Sequence, residues 1–189
     1  MMTFGTFAGL SAAFPLLIKI LYGGFEGAPD PLVYAFYGPL IGSASRILFG
    51  FVADKTGGAI LTTITGIGLA IGVTLLITMG LVAPTGMEQF PMFVTIILVL
   101  FFFTGIGNAA TFRQFPIIFG HNPRQAAGVI GWTAAIAAYG PFIFATIIGT
   151  VISATGNAKV FFVGLLVFVL FATIVNWYYY NRRGCEKPS

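Results

Sequence analysis

The chain has 189 residues, of which 58% are apolar and only 7% are charged, whereas soluble globular domains carry about 25% charged residues. This composition excludes a water-soluble fold and a disordered chain. Nine Lys and Arg against five Asp and Glu give a net charge of +4, but no basic cluster precedes the C-terminal tail, which argues against nucleic-acid binding. The single cysteine, Cys185, allows no internal disulfide and no metal cluster.

Six apolar runs follow one another along the chain. A hydrocarbon core about 30 Å thick needs about 20 apolar residues per helix, and Gly, Pro, Asn and Asp mark turns between the runs. We therefore predict an all-α membrane protein, with residues 1–181 forming a six-helix transmembrane bundle and residues 182–189 forming a cytoplasmic tail. The predicted spans are residues 2–22, 31–53, 59–82, 90–119, 126–153 and 158–180.

The loop charges predict the orientation in the membrane. Lys and Arg concentrate in cytoplasmic loops. When the N-terminus is placed inside the cell, most of the Lys and Arg residues outside the spans fall on the cytoplasmic side. Both termini are therefore predicted to be cytoplasmic in a plasma (inner) membrane. The inner group is Lys55, Arg124, Arg182, Arg183 and Lys187, and the outer side holds Lys159, with Lys19 snorkelling outward.

The first span begins at Met1 without a charged flank. A signal peptide has a basic segment before its apolar run, so this start fits neither a signal peptide nor a well-anchored first helix. We expect a chain that begins inside a longer protein, and hence a fragment or one part of a split protein.

The loop after the second span has the pattern G-x-x-x-D-K-x-G-G, formed by Gly50, Asp54, Lys55, Gly57 and Gly58. We expect Gly50 to permit close packing and the two later glycines to permit a tight turn. The Asp54 carboxylate is expected at a helix start, where it can accept backbone N–H bonds. The pattern resembles the signature loop of the major facilitator superfamily, which follows the second and eighth of its twelve helices.

Arg46 lies eight residues before Asp54, hence about 12 Å from the membrane surface at 1.5 Å per residue. An arginine at this depth is costly unless it faces a cavity, a partner or an anion, and no Asp or Glu lies inside a predicted span. Gly42 and Ser43 leave room and a hydroxyl beside it. Arg46 is therefore either an anion-binding residue or a buried arginine that bonds backbone carbonyls or snorkels inward.

Four segments resemble the C-terminal half of a nitrate/nitrite porter. The resemblance implies that nitrate binds between two arginines, one from each half, with Arg46 as one of them and Phe4 against the planar ion. It implies a missing N-terminal six-helix half as partner. The helix containing Gly131 is similar to a nitrate signature in which Ala134 stands where the family can place a serine. The segments are residues 4–14, 38–58, 105–116 and 128–141.

Two further polar residues leave alternatives open. Arg113 is either a snorkelling or gate-side arginine or a substrate ligand. Asn108 is either a partner in a helix–helix hydrogen bond or a cavity-lining, substrate-binding group.

We predict a transporter rather than an enzyme, because a membrane enzyme needs an acid, a histidine or a metal-ligand cluster within its spans. The predicted function is transport of nitrate or nitrite across the lipid bilayer, by anion exchange and without a cofactor or metal, in nitrate assimilation or respiration. Two alternatives remain: a six-helix structural or assembly subunit without transport activity, and a major facilitator carrier for another small anion.

Overall fold

The computed structural model describes residues 1–187 and 189, and regular structure in this part of the chain is entirely helical. Short π-helical turns, Ile18–Tyr22 and Trp177–Asn181, extend the first and last helices, and a 3₁₀ turn, Met87–Gln89, precedes the fifth. The α-helices of the described residues are α1 (Phe4–Leu17), α2 (Pro31–Ala35), α3 (Tyr37–Thr56), α4 (Gly58–Thr78), α5 (Phe90–Ile118), α6 (Pro123–Ala138), α7 (Gly140–Thr155) and α8 (Lys159–Asn176).

Within the described residues, six helical stretches are long and apolar enough to cross a membrane. We call them the first to sixth spans. The all-α membrane fold predicted from composition is thereby confirmed. The spans are Phe4–Tyr22, Pro31–Thr56, Gly58–Thr78, Met87–Ile118, Pro123–Thr155 and Lys159–Asn181.

Two spans predicted as single helices are interrupted. The second span breaks at Phe36 and the fifth at Tyr139, in each case just ahead of a proline, Pro39 or Pro141. Proline lacks the N–H that would bond the carbonyl four residues back, and its ring crowds that carbonyl. The helix therefore ends and restarts within one residue.

The fourth span is the centre of the bundle. It packs against the second span on one side and the third on another, while the third also packs against the sixth and the first against α7. The core around it is rich in aromatic rings, and the buried Tyr22 hydroxyl donates to the Leu81 carbonyl at 2.9 Å. Its largest fully buried aromatic side chains are Phe14, Tyr22, Phe93, Phe101 and Phe162.

Side-chain amides fasten the spans together at the end of the bundle where the third span begins. The Asn176 amide donates to the Ala59 carbonyl and to the Thr63 hydroxyl, each at 2.9 Å, and its oxygen accepts from Gln114 at 3.1 Å. Both amide side chains are buried, where hydrogen bonds are strong and unmade ones are costly. This network fixes the end of α5 that carries Arg113.

Gly105 lets α3 and α5 approach very closely. A Cβ atom at this position would collide with the Ser45 hydroxyl and with the backbone of Gly42. The Ser45 hydroxyl is already engaged, since it donates to the Gly42 and Phe102 carbonyls at 3.0 and 3.1 Å. Even one added methyl group would therefore force the two helices apart.

We expect Gly105→Ala to lower the thermal unfolding midpoint of the detergent-solubilised protein, because overpacking of this kind costs about 1–3 kcal/mol. The matched control is Gly149→Ala in α7, where an added Cβ meets nothing within 4 Å. Since Ala favours helix over Gly, the control midpoint should stay the same or rise. Equal midpoints for the two variants would contradict the close approach.

The spans are unevenly covered. In the most apolar stretch of each span, only 17% of the residues of the second and 22% of the fifth are buried, against 44–56% for the first, third and fourth. The uncovered faces carry large apolar side chains such as Phe51 and Ile47 on α3 and Trp132 and Phe142 on the fifth span, each about 70% exposed. The second and fifth spans thus present the least covered surfaces of the bundle.

Candidate functional site

Arg46 lies at the middle of α3, on its uncovered side. Its side chain opens into a space of about 430 Å³ between α3 and α5, which we call the Arg46 cleft. Apolar side chains and three charged groups line the space. The lining residues are Arg46, Ile47, Gly50, Phe51, Asp54, Ala109, Phe112, Arg113 and Pro116.

The guanidinium of Arg46 rests on an aromatic pair. Its Cζ lies 5.7 Å from the centroid of the Phe112 ring, within the range of a cation–π interaction. Phe4 meets Phe112 edge to face, with the ring centroids 6.1 Å apart and the planes at 67°. A cation–π contact uses none of the N–H donors of the guanidinium, which remain able to bind a ligand.

No acid among the residues that the structure describes pairs with Arg46. Within the described residues the ion pair is between Arg113 Nε and Asp54 Oδ1, 2.8 Å apart, with both side chains about half exposed. That pair joins the ends of α3 and α5 and balances its own charges. The Arg46 cleft therefore holds a net charge of +1, which resides on Arg46.

The structure corrects the expected place of Asp54. The residue lies in the last turn of α3, which ends at Thr56, and not at a helix start. A carboxylate is unfavourable near the negative end of a helix dipole, and the ion pair with Arg113 offsets that cost.

The other residues of the loop motif divide into two groups. Gly57 has φ +90°, which favours glycine, and Gly58 lies so close to the α5 backbone that a Cβ would fall 2.5 Å from the Ala110 carbonyl. These two residues make the tight turn. Gly50 has nothing within 4 Å of its Cβ position, so its expected close packing is absent in this structure, and Lys55 is exposed.

Four other candidates lie outside the lining of the Arg46 cleft. Gly42 is buried, and a Cβ there would fall within 3.1 Å of the Phe7 ring and of the Phe101 carbonyl. Ser43 is exposed on α3. Gly131 is exposed on α6 with open space at its Cβ position, and Ala134 is half-buried on the same helix. The structure brings Arg46 and Phe4 together through Phe112, and none of these four residues lines the cleft.

Asn108 is buried between the helices, with 1% of its surface exposed. Its side-chain oxygen has no hydrogen-bond partner within the described residues. The helix–helix hydrogen bond considered from the sequence is therefore not made by this oxygen. The residue also lies outside the lining of the cleft, although its neighbour Ala109 contributes to it.

Phe112 lines the Arg46 cleft and contacts Arg46, but sequence reasoning did not select it. It stands directly before Arg113 in the segment Thr-Phe-Arg-Gln, and one more phenylalanine among 21 gives no signal by itself. Its position four residues after Asn108 and one before Arg113 places it near two candidates, but contact with Arg46 depends on how α5 is rotated against α3.

Fold and site together define a multi-pass membrane protein with an unneutralised arginine in an open cleft. The chain is 57% identical over 187 residues to a probable nitrate/nitrite antiporter, NarK2, of Thermus thermophilus, a match that covers 99% of this chain. It is 32% identical to the nitrate/nitrite transporter NarU of Salmonella typhimurium over 209 residues and to NarU of Escherichia coli over 203 residues, covering 99% and 96% of this chain. No protein-family model matches.

The chain is thus a relative of the nitrate/nitrite transporters, and the resemblance recognised in the sequence is confirmed. The matches cover 41–43% of the length of these relatives. The chain therefore spans about two-fifths of the curated relatives it matches.

Proposed function

We propose that the chain is the C-terminal six-helix half of a nitrate/nitrite carrier of the major facilitator type. The observation that carries the proposal is Arg46, a mid-span arginine without an acidic partner that stands on an uncovered helix face. Such a residue is too costly to face lipid. A bound anion supplies the missing negative charge, and the names of the relatives, nitrate/nitrite transporters and antiporters, indicate which anion.

The chemistry of Arg46 suits a planar oxyanion. A guanidinium presents paired, coplanar N–H donors, and charge-assisted bonds of this kind are roughly twice as strong as neutral ones. The Phe112 ring lies 5.7 Å from the guanidinium carbon, and Phe4 packs against that ring. The aromatic pair thus orients the donors and keeps one side of the site dry, which strengthens the bonds to nitrate.

The uncovered faces of the second and fifth spans are where the proposed N-terminal half packs. Carriers built from repeats place the substrate near the membrane midplane at the repeat interface. Arg46 stands on one of these two faces. The second half would enclose Arg46 and complete the site, and Gly131 and Ala134 on α6 would meet the anion or the other half there.

The pair Asp54–Arg113 and the turn at Gly57 and Gly58 form the proposed conformational motif. The pair closes the cleft at the end of α3 and α5 that we place on the cytoplasmic side, together with both termini, in the inner membrane. Because the pair is half exposed, it is weak in water, with a strength of about 0–1 kcal/mol. A contact of this strength can open and close during each transport cycle.

The proposed mode of transport is exchange of nitrate for nitrite. The acids within the six spans, Asp54 and Glu88, lie in terminal turns, and His121 lies in a loop, so no Asp, Glu or His stands in the middle of a span. This half therefore offers no side chain that could carry a proton with the anion.

The test of function and mode uses a chimera in which this chain replaces the matching stretch of the Thermus thermophilus relative. We expect nitrite loaded inside proteoliposomes to accelerate nitrate uptake while the internal pH stays constant. Absence of nitrate uptake by the inserted chimera would overturn the proposed function and favour a subunit without transport activity. A second outcome concerns the mode of transport alone. Nitrate-driven acidification that persists after Asp, Glu and His are replaced in the spans of the remaining stretch would contradict exchange and leave the proposed function standing.

A further inference from the structure

A second cleft lies at the opposite end of the bundle from the pair of Asp54 and Arg113. Its volume is about 520 Å³, and it separates α1 from the start of the second span. It holds one basic and one acidic side chain, Lys19 and Asp30. We call it the Lys19 cleft, lined by Ala12, Pro15, Leu16, Lys19, Asp30, Pro31 and Leu32.

The Lys19 ammonium is free to meet an anion from solution. The side chain is exposed and forms no ion pair within the described residues. Asp30 shares the cleft, but its carboxylate accepts the Leu32 N–H at 2.9 Å as the cap of α2. The cleft therefore combines an unpaired cation with a carboxylate that is held in place by its own helix.

The position of Lys19 is set by a local departure from α-helical geometry. It lies in the π-helical turn Ile18–Tyr22 that ends the first span. Turns of this kind are rare and frequently occur at functional sites.

Lys19 and Phe4 lie on one face of the first span. Phe4, Ala8, Ala12, Pro15 and Lys19 recur every three or four residues, the spacing of one helix face. These residues are exposed or half-buried, whereas the opposite face of α1 is buried. Phe4 contacts Phe112, which in turn contacts Arg46. Phe4 lies about 22 Å from Lys19 along the helix, at 1.5 Å per residue.

The other charges at this end of the bundle determine how Lys19 affects an approaching anion. Glu26, Asp30 and Glu88 lie at this end of the bundle together with Lys19 and Lys159, so the end as a whole is acidic and repels an anion. Within the cleft, Lys19 offsets the charge of Asp30. Removal of the lysine would leave the carboxylate alone and change the charge of the cleft from zero to −1.

We infer that Lys19 is an anion-capture residue at the end of the bundle opposite the Asp54–Arg113 pair. It attracts nitrate or nitrite into the Lys19 cleft, from which the anion passes along the exposed face of the first span toward Arg46. This inference rests on the proposed function. A charge placed in a cleft raises the local concentration of counter-ions and the rate of their capture. Lys19 therefore acts on binding from this side and leaves the later steps of transport unchanged.

The test measures initial nitrate uptake by the chimera in proteoliposomes, with Lys19→Gln, Asp30→Asn, the double variant and Lys159→Gln. Asn caps a helix about as well as Asp, so Asp30→Asn removes charge while the cap remains. We expect Lys19→Gln to raise KM by about three- to tenfold with kcat within twofold, and to weaken the dependence of KM on ionic strength. Asp30→Asn should lower KM, and the double variant should return it toward the parental value.

Lys159→Gln is the matched control, because it removes the same charge at the same end of the bundle but outside the cleft, and its KM should be parental. Lys19→Arg keeps the charge and should keep the parental KM, which separates charge from folding. An unchanged KM in Lys19→Gln, or an equal increase in Lys159→Gln, would overturn the inference while nitrate uptake by the parent leaves the proposed function standing. A parent without nitrate uptake would overturn both.

Discussion

Replacement of Arg46 by Lys is expected to reduce nitrate uptake by the chimera to less than about a tenth of the parental rate while the protein still inserts. Lysine keeps the positive charge but loses the flat, two-pronged donor set and the stack on Phe112. Loss of a hydrogen bond to a charged group costs about 1.5–3 kcal/mol, which corresponds to more than a tenfold loss. The measurement is initial nitrate uptake into proteoliposomes at equal protein content.

Arg124→Lys is the matched control for this prediction. Arg124 is exposed at the start of α6, so the same chemical change there should leave uptake at the parental rate. Uptake by Arg46→Lys at no less than half the parental rate would show that Arg46 does not bind the anion through its paired donors.

The second large effect is expected for the chain expressed alone. Its second and fifth spans would expose the unneutralised Arg46 and a broad face of small and aromatic residues to lipid, and an unpaired charge in hydrocarbon is costly. We therefore expect the isolated chain to insert poorly or to self-associate. Co-expression with the remaining stretch of the Thermus thermophilus relative should convert it into a stable one-to-one complex.

The mass of the detergent-solubilised species tests this expectation. A stable monomer of the isolated chain, with the same thermal midpoint as the complex, would contradict the view that these faces belong to an interface. Ser11→Ala is a control for non-specific effects of substitution. The Ser11 hydroxyl donates to the Phe7 carbonyl within α1, and the change leaves the uncovered faces of the second and fifth spans intact, so the variant should associate like the parent chain.

The membrane fold could be predicted from the sequence because hydrocarbon imposes a simple rule. Backbone groups in the bilayer must be bonded within the segment, so long apolar runs become helices. The breaks at Phe36 and Tyr139 could also have been inferred, since Pro39 and Pro141 each remove one helical hydrogen bond. Whether each helix would kink or end could not be predicted, because this depends on how neighbouring helices satisfy the carbonyl that the proline leaves without a hydrogen bond.

Only part of the candidate site could be predicted from the sequence. The position of residues along the chain is enough to show that Arg46 lies deep in a span and that the predicted spans contain no acid. In the structure Arg46 likewise has no acidic partner within the described residues. Contacts across helices do not follow from spacing. The stack on Phe112 and the pair between Asp54 and Arg113 depend on the rotation of α3 against α5, which close packing at Gly105 sets.

Asn108 shows the same limit from the other direction. A polar residue that follows two glycines in an apolar span predicts either a helix–helix hydrogen bond or a cavity-lining group. In the structure the residue is buried and that oxygen is unpaired within the described part of the chain. The sequence pattern therefore did not indicate whether this oxygen would be hydrogen-bonded.

The most direct test of the central claim is nitrate uptake by cells that lack other nitrate porters and express this chain alone, the remaining stretch of the Thermus thermophilus relative alone, or both together. We expect uptake only from the pair, and expect it to be lost when the chain carries Arg46→Lys. Uptake from this chain alone at a rate comparable to that of the pair would contradict the account, because the six-helix unit would then itself be the carrier.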